Sequence, residues 1–212
     1  MIFETHAQGS PEWLQSRAGV ITASRFKDAC DTLKSGAPSD KQAKYMWLVI
    51  MERIAKSPLD DVFVTWQMKR GTELEPIARA AYEAETGELI EQSGIVLTDD
   101  RVFGYSTDGF VGSEGLIEIK CPSACDKLGA IWTRPEDAEA EYIDQINGGL
   151  WITGRKWCDL VVFCPWLESV GKHLFIKRIF RNDDAIERLE SSLLKFAGLV
   201  ESNGALMRKQ AA

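Results

Sequence analysis

The stretch Ser106–Pro122, STDGFVGSEGLIEIKCP, decides the fold, because it sets charged residues inside an apolar segment that contains glycines. In its strand-like run Leu116–Lys120, successive side chains point to opposite faces of a sheet. Glu118 and Lys120 therefore share one face, while the two isoleucines of the run point the other way, into a core. A hairpin turn would bring Asp108, at the end of the preceding strand, beside Glu118. The stretch thus predicts two carboxylates and one ammonium at a common edge.

This set of groups suits the hydrolysis of phosphodiesters with the help of a metal ion. Carboxylate oxygens are natural ligands of Mg²⁺, and a lysine beside them can orient the attacking water or help to deprotonate it. The alternative is a surface hairpin with a solvated Glu–Lys pair. Of all the lysines in the chain, only Lys120 follows an acidic residue at a distance of two, and it does so within an apolar strand. The pattern by itself leaves both interpretations open.

The composition is that of a globular protein with one domain. The chain has 212 residues, of which 45% are hydrophobic and 27% charged, which is ordinary for a soluble domain. No apolar run approaches the roughly 20 residues that span a bilayer, and the N-terminus lacks the features of a signal peptide. We therefore expect a cytoplasmic protein with no membrane association.

The cysteine content argues against two kinds of structural site, whereas the net charge does not decide whether the protein binds nucleic acid. Five cysteines, an odd number, occur without a C-x-x-C pair and with only two histidines, so neither a disulfide framework nor a structural zinc site is expected. The net charge of −7 does not indicate nucleic-acid binding, which usually leaves a basic footprint. Net charge is, however, a poor guide to a local surface.

The order of predicted elements is a set of helices followed by β-β-β-α-β-β-α, which is a mixed α/β layout. Ser10 and Asp40 are the predicted caps of the first and third helices, and Gly87 is the predicted stop of the fourth. The predicted helices are Pro11–Arg17, one from about Thr22, Asp40 to about Lys56, one led in by Leu59–Asp61 and covering Met68–Thr86, Ala138–Ile152 and Asp183–Glu201. The predicted strands are Gly94–Thr98, Val102–Thr107, Leu116–Cys121, Cys158–Cys164 and His173–Phe180, with glycines 109, 112 and 115 in the turn before the third.

The spacing D-x9-E-x-K resembles the active-site signature of the PD-(D/E)xK nucleases. Three further segments, in the order of the family, resemble phage lambda exonuclease and its YqaJ-type viral recombinase relatives. They are GSPEWL at residues 9–14 with Arg17 and GVITAS at 19–24, RGTELEPIA at 70–78, and YIDQINGGL at 142–150. The resemblance implies an α/β (α+β) fold, with a mixed sheet flanked by helices in a restriction-endonuclease-like core. Residues 1–60 would be a helical N-terminal part, and residues 61–212 the catalytic core and closing helix of one nuclease domain.

The same resemblance implies roles for individual residues. Asp108, Glu118 and the main-chain carbonyl of Ile119 would bind metal, and Lys120 would act on the attacking water. Glu75 would add a carboxylate near a second metal, and Gln145 would position water or phosphate. The residues that would hold a 5′-terminal phosphate are Arg17, Ser24 and Ser106. The sequence does not identify the apolar side chains that would separate the two strands of the duplex; Trp66 and Met68 are candidates.

The function implied is a Mg²⁺-dependent 5′→3′ exonuclease for double-stranded DNA ends, from a phage or prophage recombination system that acts in the cytosol of a bacterial host. It would use two metal ions, with Mn²⁺ as a substitute for Mg²⁺, and leave a 3′ single strand. Its expected partners are two further copies in a homotrimer ring and a single-strand annealing protein. Two alternatives remain: another PD-(D/E)xK enzyme such as a site-specific endonuclease, and a non-catalytic scaffold that binds DNA ends.

Overall fold

The computed structural model of the protein describes residues 1–59 and 66–209. The predicted lead-in at Asp60 and Asp61 lies outside these residues, as does the predicted boundary between the two parts of the domain. These residues form both helices and strands, and parallel and antiparallel strand pairs occur within one sheet. The mixed α/β class predicted from the sequence is thus confirmed.

The strands form one four-stranded and one five-stranded sheet. In spatial order, the larger sheet contains Ile90–Glu91 (β3), Gly109–Val111 (β6), Gly115–Lys120 (β7), Trp157–Phe163 (β8) and Leu174–Phe180 (β9). The smaller sheet contains Ile2–Glu4 (β1), Ile95–Leu97 (β4), Phe103–Tyr105 (β5) and Ile21–Thr22 (β2). In the larger sheet β7 and β8 are parallel, with Lys120 opposite Val162, and the other pairs are antiparallel. The segments that follow β7 and β8 therefore leave the sheet at the same edge.

The predicted helices all occur, in the predicted order, although most of their ends differ from the predicted ones. They are Pro11–Arg17 (α1), Phe26–Ala29 (α2), Asp40–Ala55 (α3), Trp66–Thr86 (α4), Cys125–Thr133 (α5), Pro135–Thr153 (α6) and Asp183–Lys209 (α7), with 3₁₀ turns at Ala23–Arg25 and Pro165–Val170. Ser10 caps α1 as predicted, since its hydroxyl accepts the Trp13 N–H at 3.1 Å. The predicted cap at Asp40 is wrong. Ser39 is the cap, and its hydroxyl accepts the Gln42 N–H at 3.2 Å.

The predicted hairpin is wrong in one respect, because the strand paired with β7 is β6 and not β5. Gly109–Val111, predicted to be part of the turn, pairs with Gly115–Ile117, and the turn is confined to residues 112–114. β5 belongs to the smaller sheet. Gly109 permits this arrangement because a Cβ at this position would lie 2.1 Å from Ile90 Cγ2, closer than packed atoms can approach. A glycine that reads as a turn signal here serves close packing between strands.

Both faces of the larger sheet are covered, which explains the continuous burial of β7. On one face, Ile117 and Ile119 pack against Ala78 and Tyr82 of α4. On the other face, Leu116 belongs to the main core together with residues of α6 and α7, among them Ile146, Leu150 and Leu193. The predicted inward direction of the two isoleucines is confirmed. The charged residues of β7 face α6, so they lie under a helix and not in open solvent.

An ionic network around the buried Asp159 links α4 to β8 and β9 of the larger sheet. Asp159 on β8 is 1% exposed and accepts a hydrogen bond from the Tyr82 hydroxyl at 2.7 Å. Arg178 on β9 donates to both oxygens of Asp159, at 2.9 and 2.8 Å, and its guanidinium lies 3.6 Å from the centroid of the Trp157 ring. The planar guanidinium thus satisfies a buried carboxylate with two parallel hydrogen bonds.

The remaining differences concern short or weakly patterned segments. β1, β2, β3, α5 and the turn at Pro165–Val170 were not predicted, and α7 runs eight residues past its predicted end at Glu201. All five cysteines are free thiols, and Cys158 and Cys164 are buried. Within the part of the chain that the structure describes, no helix is both long and apolar enough to cross a membrane.

Candidate active site

Glu118 lies at the centre of a polar cluster under α6. Its side chain is almost fully buried and accepts three hydrogen bonds. The Tyr105 hydroxyl donates to Oε2 at 2.9 Å, while Lys120 Nζ and Gln145 Nε2 donate to Oε1 at 2.6 and 2.5 Å. A buried carboxylate needs such donors, because desolvation without them costs several kcal/mol. The structure therefore brings together three of the residues predicted for the site: Glu118, Lys120 and Gln145.

Asp108 lies opposite Glu118, as expected for the residue that precedes β6. The pairing of Gly109 with Ile117 sets it next to β7, where its Oδ2 accepts the Ile119 N–H at 2.6 Å. Burial raises the pKa of Asp108 well above its usual range, and the charges of Glu118 and Glu75 raise it further, against the opposing effect of Lys120. The two strands thus hold like charges close together in a site with little water.

A third carboxylate, Glu75, approaches from α4. Arg79, one turn later, donates from Nη2 to Glu75 Oε1 at 2.7 Å and to the main-chain carbonyl of Asp108 at 3.1 Å. Burial raises the pKa of Glu75 and Glu118 adds to the shift, although Arg79 opposes it. Glu75 lies in the middle of α4, directed towards the other carboxylates.

Lys120 is held as a cation. Burial alone would lower the pKa of its ammonium group, but the charges of Glu118 and Asp108 outweigh burial and raise it. Its Nζ also lies 3.3 Å from Gln145 Oε1 and 5.2 Å from the centroid of the Tyr142 ring. Lys120 can therefore donate hydrogen bonds and positive charge at the edge of the sheet.

The residues predicted to hold a phosphate are only partly assembled. Arg17 Nη1 donates to Ser106 Oγ at 2.9 Å, and its guanidinium lies 4.3 Å from the centroid of the Trp13 ring. Ser106 is two residues from Asp108, so this pair adjoins the carboxylates. Ser24 is exposed in the 3₁₀ turn after β2, and its Oγ lies 3.5 Å from the Thr22 hydroxyl.

Sequence reasoning missed three residues that contact the cluster: Tyr105, Arg79 and Tyr142. Signals for two of them existed. Arg79 follows Glu75 by four residues on one helix, the spacing at which opposite charges meet. A tyrosine in a buried strand needs a partner for its hydroxyl, and Tyr105 finds it in Glu118. Tyr142 carries no such local signal, because only the packing of α6 on β7 brings it near Lys120.

The donor set fits a hard divalent cation, although the side chains are engaged with one another. Within residues 1–59 and 66–209, no three His, Cys, Asp or Glu side chains converge closely enough to form a metal site. Burial raises the pKa of both Asp108 and Glu75, and the negative charge of Glu118 raises both pKa values further. A bound divalent cation would offset this repulsion, and oxygen donors of this kind are those that Mg²⁺ selects.

Comparison with known proteins finds one matching family model and several similar solved structures. The family model of the YqaJ-like viral recombinase domain matches residues 12–156. The crystal structure of an alkaline exonuclease (LHK-Exo) from Laribacter hongkongensis is 34% identical, with a TM-score of 0.83 over 95% of this chain and 98% of that chain. The same exonuclease in complex with dAMP matches with a TM-score of 0.84 at the same identity and coverage.

A phage-related exonuclease from Haemophilus somnus 129PT shares the fold alone. Its TM-score is 0.69 at 12% identity, over 91% of this chain and 96% of that chain. No curated protein matches the chain. The domain match covers well over half of the chain and the similarity to the Laribacter enzyme covers nearly all of it, so the family predicted from the sequence is confirmed. The chain belongs to the YqaJ-like viral recombinase domain family.

Proposed function

We propose that the protein is a metal-dependent exonuclease that hydrolyses double-stranded DNA from its ends, in the 5′→3′ direction. The observation that carries this proposal is the buried Glu118, which holds Lys120 and Gln145 by direct hydrogen bonds with Asp108 opposite. The similar alkaline exonuclease from Laribacter hongkongensis, and its complex with dAMP, support both the activity and the class of substrate.

The residues that would hold the metal are Asp108, Glu118, the main-chain carbonyl of Ile119 and, for a second ion, Glu75. The expected ion is Mg²⁺, with Mn²⁺ as a substitute. When bound, a divalent ion of this kind polarises the scissile phosphate, lowers the pKa of a water molecule and stabilises the leaving oxygen. Asp108 and Glu118 could give up protein hydrogen bonds in order to bind the ion. The groups that now donate to them could donate to water or phosphate instead.

Lys120 and Gln145 would act on the water and the phosphate. The ammonium of Lys120 can orient the attacking water and offset the negative charge that develops on the phosphate. Gln145, which bonds Glu118 through its amide nitrogen and approaches Lys120 through its oxygen, would hold both groups in position. Proximity of this kind lowers the barrier because the reacting groups need not be ordered during the reaction.

Arg17, Ser24 and Ser106 would bind the 5′-terminal phosphate. A guanidinium offers a planar fork for phosphate oxygens, and the contact between Arg17 and Ser106 lies two residues from Asp108. A terminal phosphate bound there would be followed by the next phosphodiester at the carboxylates. This order would explain both the requirement for an end and the direction of digestion.

The wider context is proposed from the family. We expect the enzyme to act in a phage or prophage recombination system in the bacterial cytosol, as a homotrimer ring around DNA. The 3′ single strand would then be passed to a single-strand annealing protein.

Digestion of linear duplex labelled at either end, with Mg²⁺ and with EDTA, tests the activity, its direction and its need for metal together. We expect early release of a 5′ label, later release of a 3′ label, and no digestion in EDTA. Cutting of closed circular DNA would favour an endonuclease. Binding of ends without digestion under any metal would favour a scaffold.

A first prediction concerns the repulsion among the carboxylates. In EDTA at pH 8, Asp108→Asn should raise Tm by about 2–4 °C, because the amide keeps the size of the side chain and removes a costly buried charge. The pKa of Asp108 is raised in the folded state, so the free energy of unfolding falls as the pH rises from the unfolded pKa of about 4 towards the folded pKa, and this group has no effect well below the unfolded value. The gain should therefore disappear near pH 4, as measured by thermal unfolding.

Two controls sharpen this measurement. The exposed Asp126, changed to Asn, should leave Tm nearly unchanged over the same range of pH. Mg²⁺ should raise the Tm of the wild type but not of Asp108→Asn, because an ion that binds only the folded state stabilises it. A wild-type Tm that does not respond to Mg²⁺ or Mn²⁺ would contradict the proposed metal site.

A second prediction concerns the 5′ end. Linear duplex with 5′-hydroxyl ends should be digested about tenfold more slowly than duplex with 5′-phosphates, since charge-assisted hydrogen bonds to one phosphate contribute roughly 1.5–3 kcal/mol. Arg17→Ala should reduce that difference, whereas Arg134→Ala, at the exposed start of α6, should leave it unchanged. Equal rates on both ends in the wild type would exclude the phosphate pocket.

A further inference from the structure

An aromatic surface lies beside the candidate active site. It consists of Trp66, Trp166 and Arg70, and we call it the indole patch. The two tryptophans are 62% and 57% exposed, which is unusual for the largest apolar side chain. The Arg70 guanidinium lies 6.0 Å from the centroid of the Trp66 ring and 4.6 Å from that of Trp166, within the range of a cation–π contact.

The indole patch is attached to the strand that carries Lys120. Arg70 Nη1 donates to the main-chain carbonyls of Cys121 at 2.8 Å and Pro122 at 3.3 Å, the two residues that follow Lys120. Trp166 lies in the 3₁₀ turn that follows β8. Because β7 and β8 are parallel and Lys120 pairs with Val162, both segments leave the sheet at the edge where the charged cluster lies.

We propose that the indole patch binds nucleobases of single-stranded DNA next to the candidate active site. Every base has a flat π-face, and a base stacked on an aromatic side chain contributes about 1–3 kcal/mol to the binding of single strands. An indole presents the largest such face among the side chains, and Arg70 keeps the ring of Trp166 in place. The proposal rests on the proposed function, since it names the part of the substrate that this edge of the sheet would hold.

The charges around the indole patch favour a polyanion over an apolar partner. The chain has a net charge of −7, yet Arg70 forms the middle of the patch. Lys172 closes the turn of Trp166, since its N–H donates to the Leu167 carbonyl at 3.0 Å. Its ammonium lies 5.2 Å from the centroid of the Trp132 ring. Of the described side chains in this turn, only Glu168 is acidic. Cations interleaved with aromatic rings are typical of surfaces that track a single strand.

The test measures binding separately from cleavage. In the Lys120→Ala background, which should bind DNA without cutting it, fluorescence anisotropy gives the affinity for a short labelled single-stranded oligonucleotide. Trp166→Ala should weaken binding about tenfold, while Trp166→Phe, which keeps a stacking face, should retain most of it. The matched control is Phe180→Ala. Phe180 is 69% exposed and pairs with Trp157 at the opposite end of the sheet.

A second oligonucleotide, in which abasic sites replace the bases, distinguishes stacking from other causes. If Trp166 stacks on a base, the tenfold effect of Trp166→Ala should nearly vanish on the abasic strand, because the removed partner is already absent. An equal loss on both strands, or no loss on either, would overturn the proposal. So would a change in oligomeric state on gel filtration with unchanged affinity per subunit, since the patch would then be an interface between copies.

The results also distinguish a failure of the base-binding proposal from a failure of the proposed function. If the wild type digests linear duplex but Trp166→Ala binds single strands like its background, the base-binding proposal is wrong and the exonuclease proposal is unaffected. If the wild type digests nothing with Mg²⁺ or Mn²⁺ while Trp166→Ala still weakens base-dependent binding, the exonuclease proposal is wrong and the base-binding proposal is unaffected.

Discussion

Replacing Glu118 by glutamine should lower the rate of digestion of linear duplex by about 10³-fold, the cost typical of removing one preorganised electrostatic group from an active site. The amide has the size of the carboxylate. Its single oxygen can still accept from Lys120, which bonds Glu118 Oε1 at 2.6 Å, and its NH2 group can donate to the Tyr105 hydroxyl, which bonds Oε2 at 2.9 Å. It lacks the negative charge that would attract the metal and hold the Lys120 ammonium. The loss should therefore occur in turnover, with the protein folded.

The matched control for this prediction is Glu114→Gln on the same hairpin. Glu114 is exposed and forms an ion pair with Lys156 at the surface, where such pairs contribute about 1 kcal/mol or less. Its rate should stay within about twofold of the wild type. Thermal unfolding of both variants checks that the fold is intact. Digestion by Glu118→Gln at the wild-type rate would show that the catalytic centre lies elsewhere.

Replacing Asp159 by alanine should lower the free energy of unfolding by about 3 kcal/mol, the low end of the range for breaking a buried ion pair. Asp159 is 1% exposed, and its removal leaves the buried Tyr82 hydroxyl without its acceptor. It also leaves Arg178 without its carboxylate. The estimate is at the low end because the Arg178 side chain is 41% exposed and can be solvated. Because Tyr82 belongs to α4, the loss should loosen the helix that carries Glu75.

Urea unfolding at pH 7 measures this effect. The control is Glu201→Ala, which removes the ion pair between Glu201 and Arg53. The Glu201 side chain is 64% exposed, so the loss of this pair should lower the free energy of unfolding by less than about 1 kcal/mol. At a urea concentration that leaves Asp159→Ala folded, its digestion rate should fall less than that of Glu118→Gln. A free energy of unfolding equal to that of the wild type would show that Arg178 and Tyr82 find other partners.

Much of the fold could be predicted, because most elements carry local signals. The cap at Ser10, the alternation in residues 116–120 and the helical spacing before Gly87 all predicted elements that the structure contains. The errors arose where a local signal had two meanings. Gly109 was assigned to a turn because glycine is typical of turns, but it lies in β6, where Ile90 leaves no room for a side chain.

The features of the candidate site also fall into those that local sequence patterns predicted and those that only the packing of distant segments produced. The sequence by itself determined that Glu118 and Lys120 share a face and that a hairpin brings Asp108 beside Glu118, because the alternation of a strand and the reach of a turn are local properties. Its motifs also determined the family. Only the tertiary structure decided that Tyr105 and Gln145 both bond Glu118, that Arg79 links α4 to Asp108, and that the indole patch adjoins Lys120. These contacts join residues that are distant in the chain, and packing of elements against one another, which no local period encodes, brings them together.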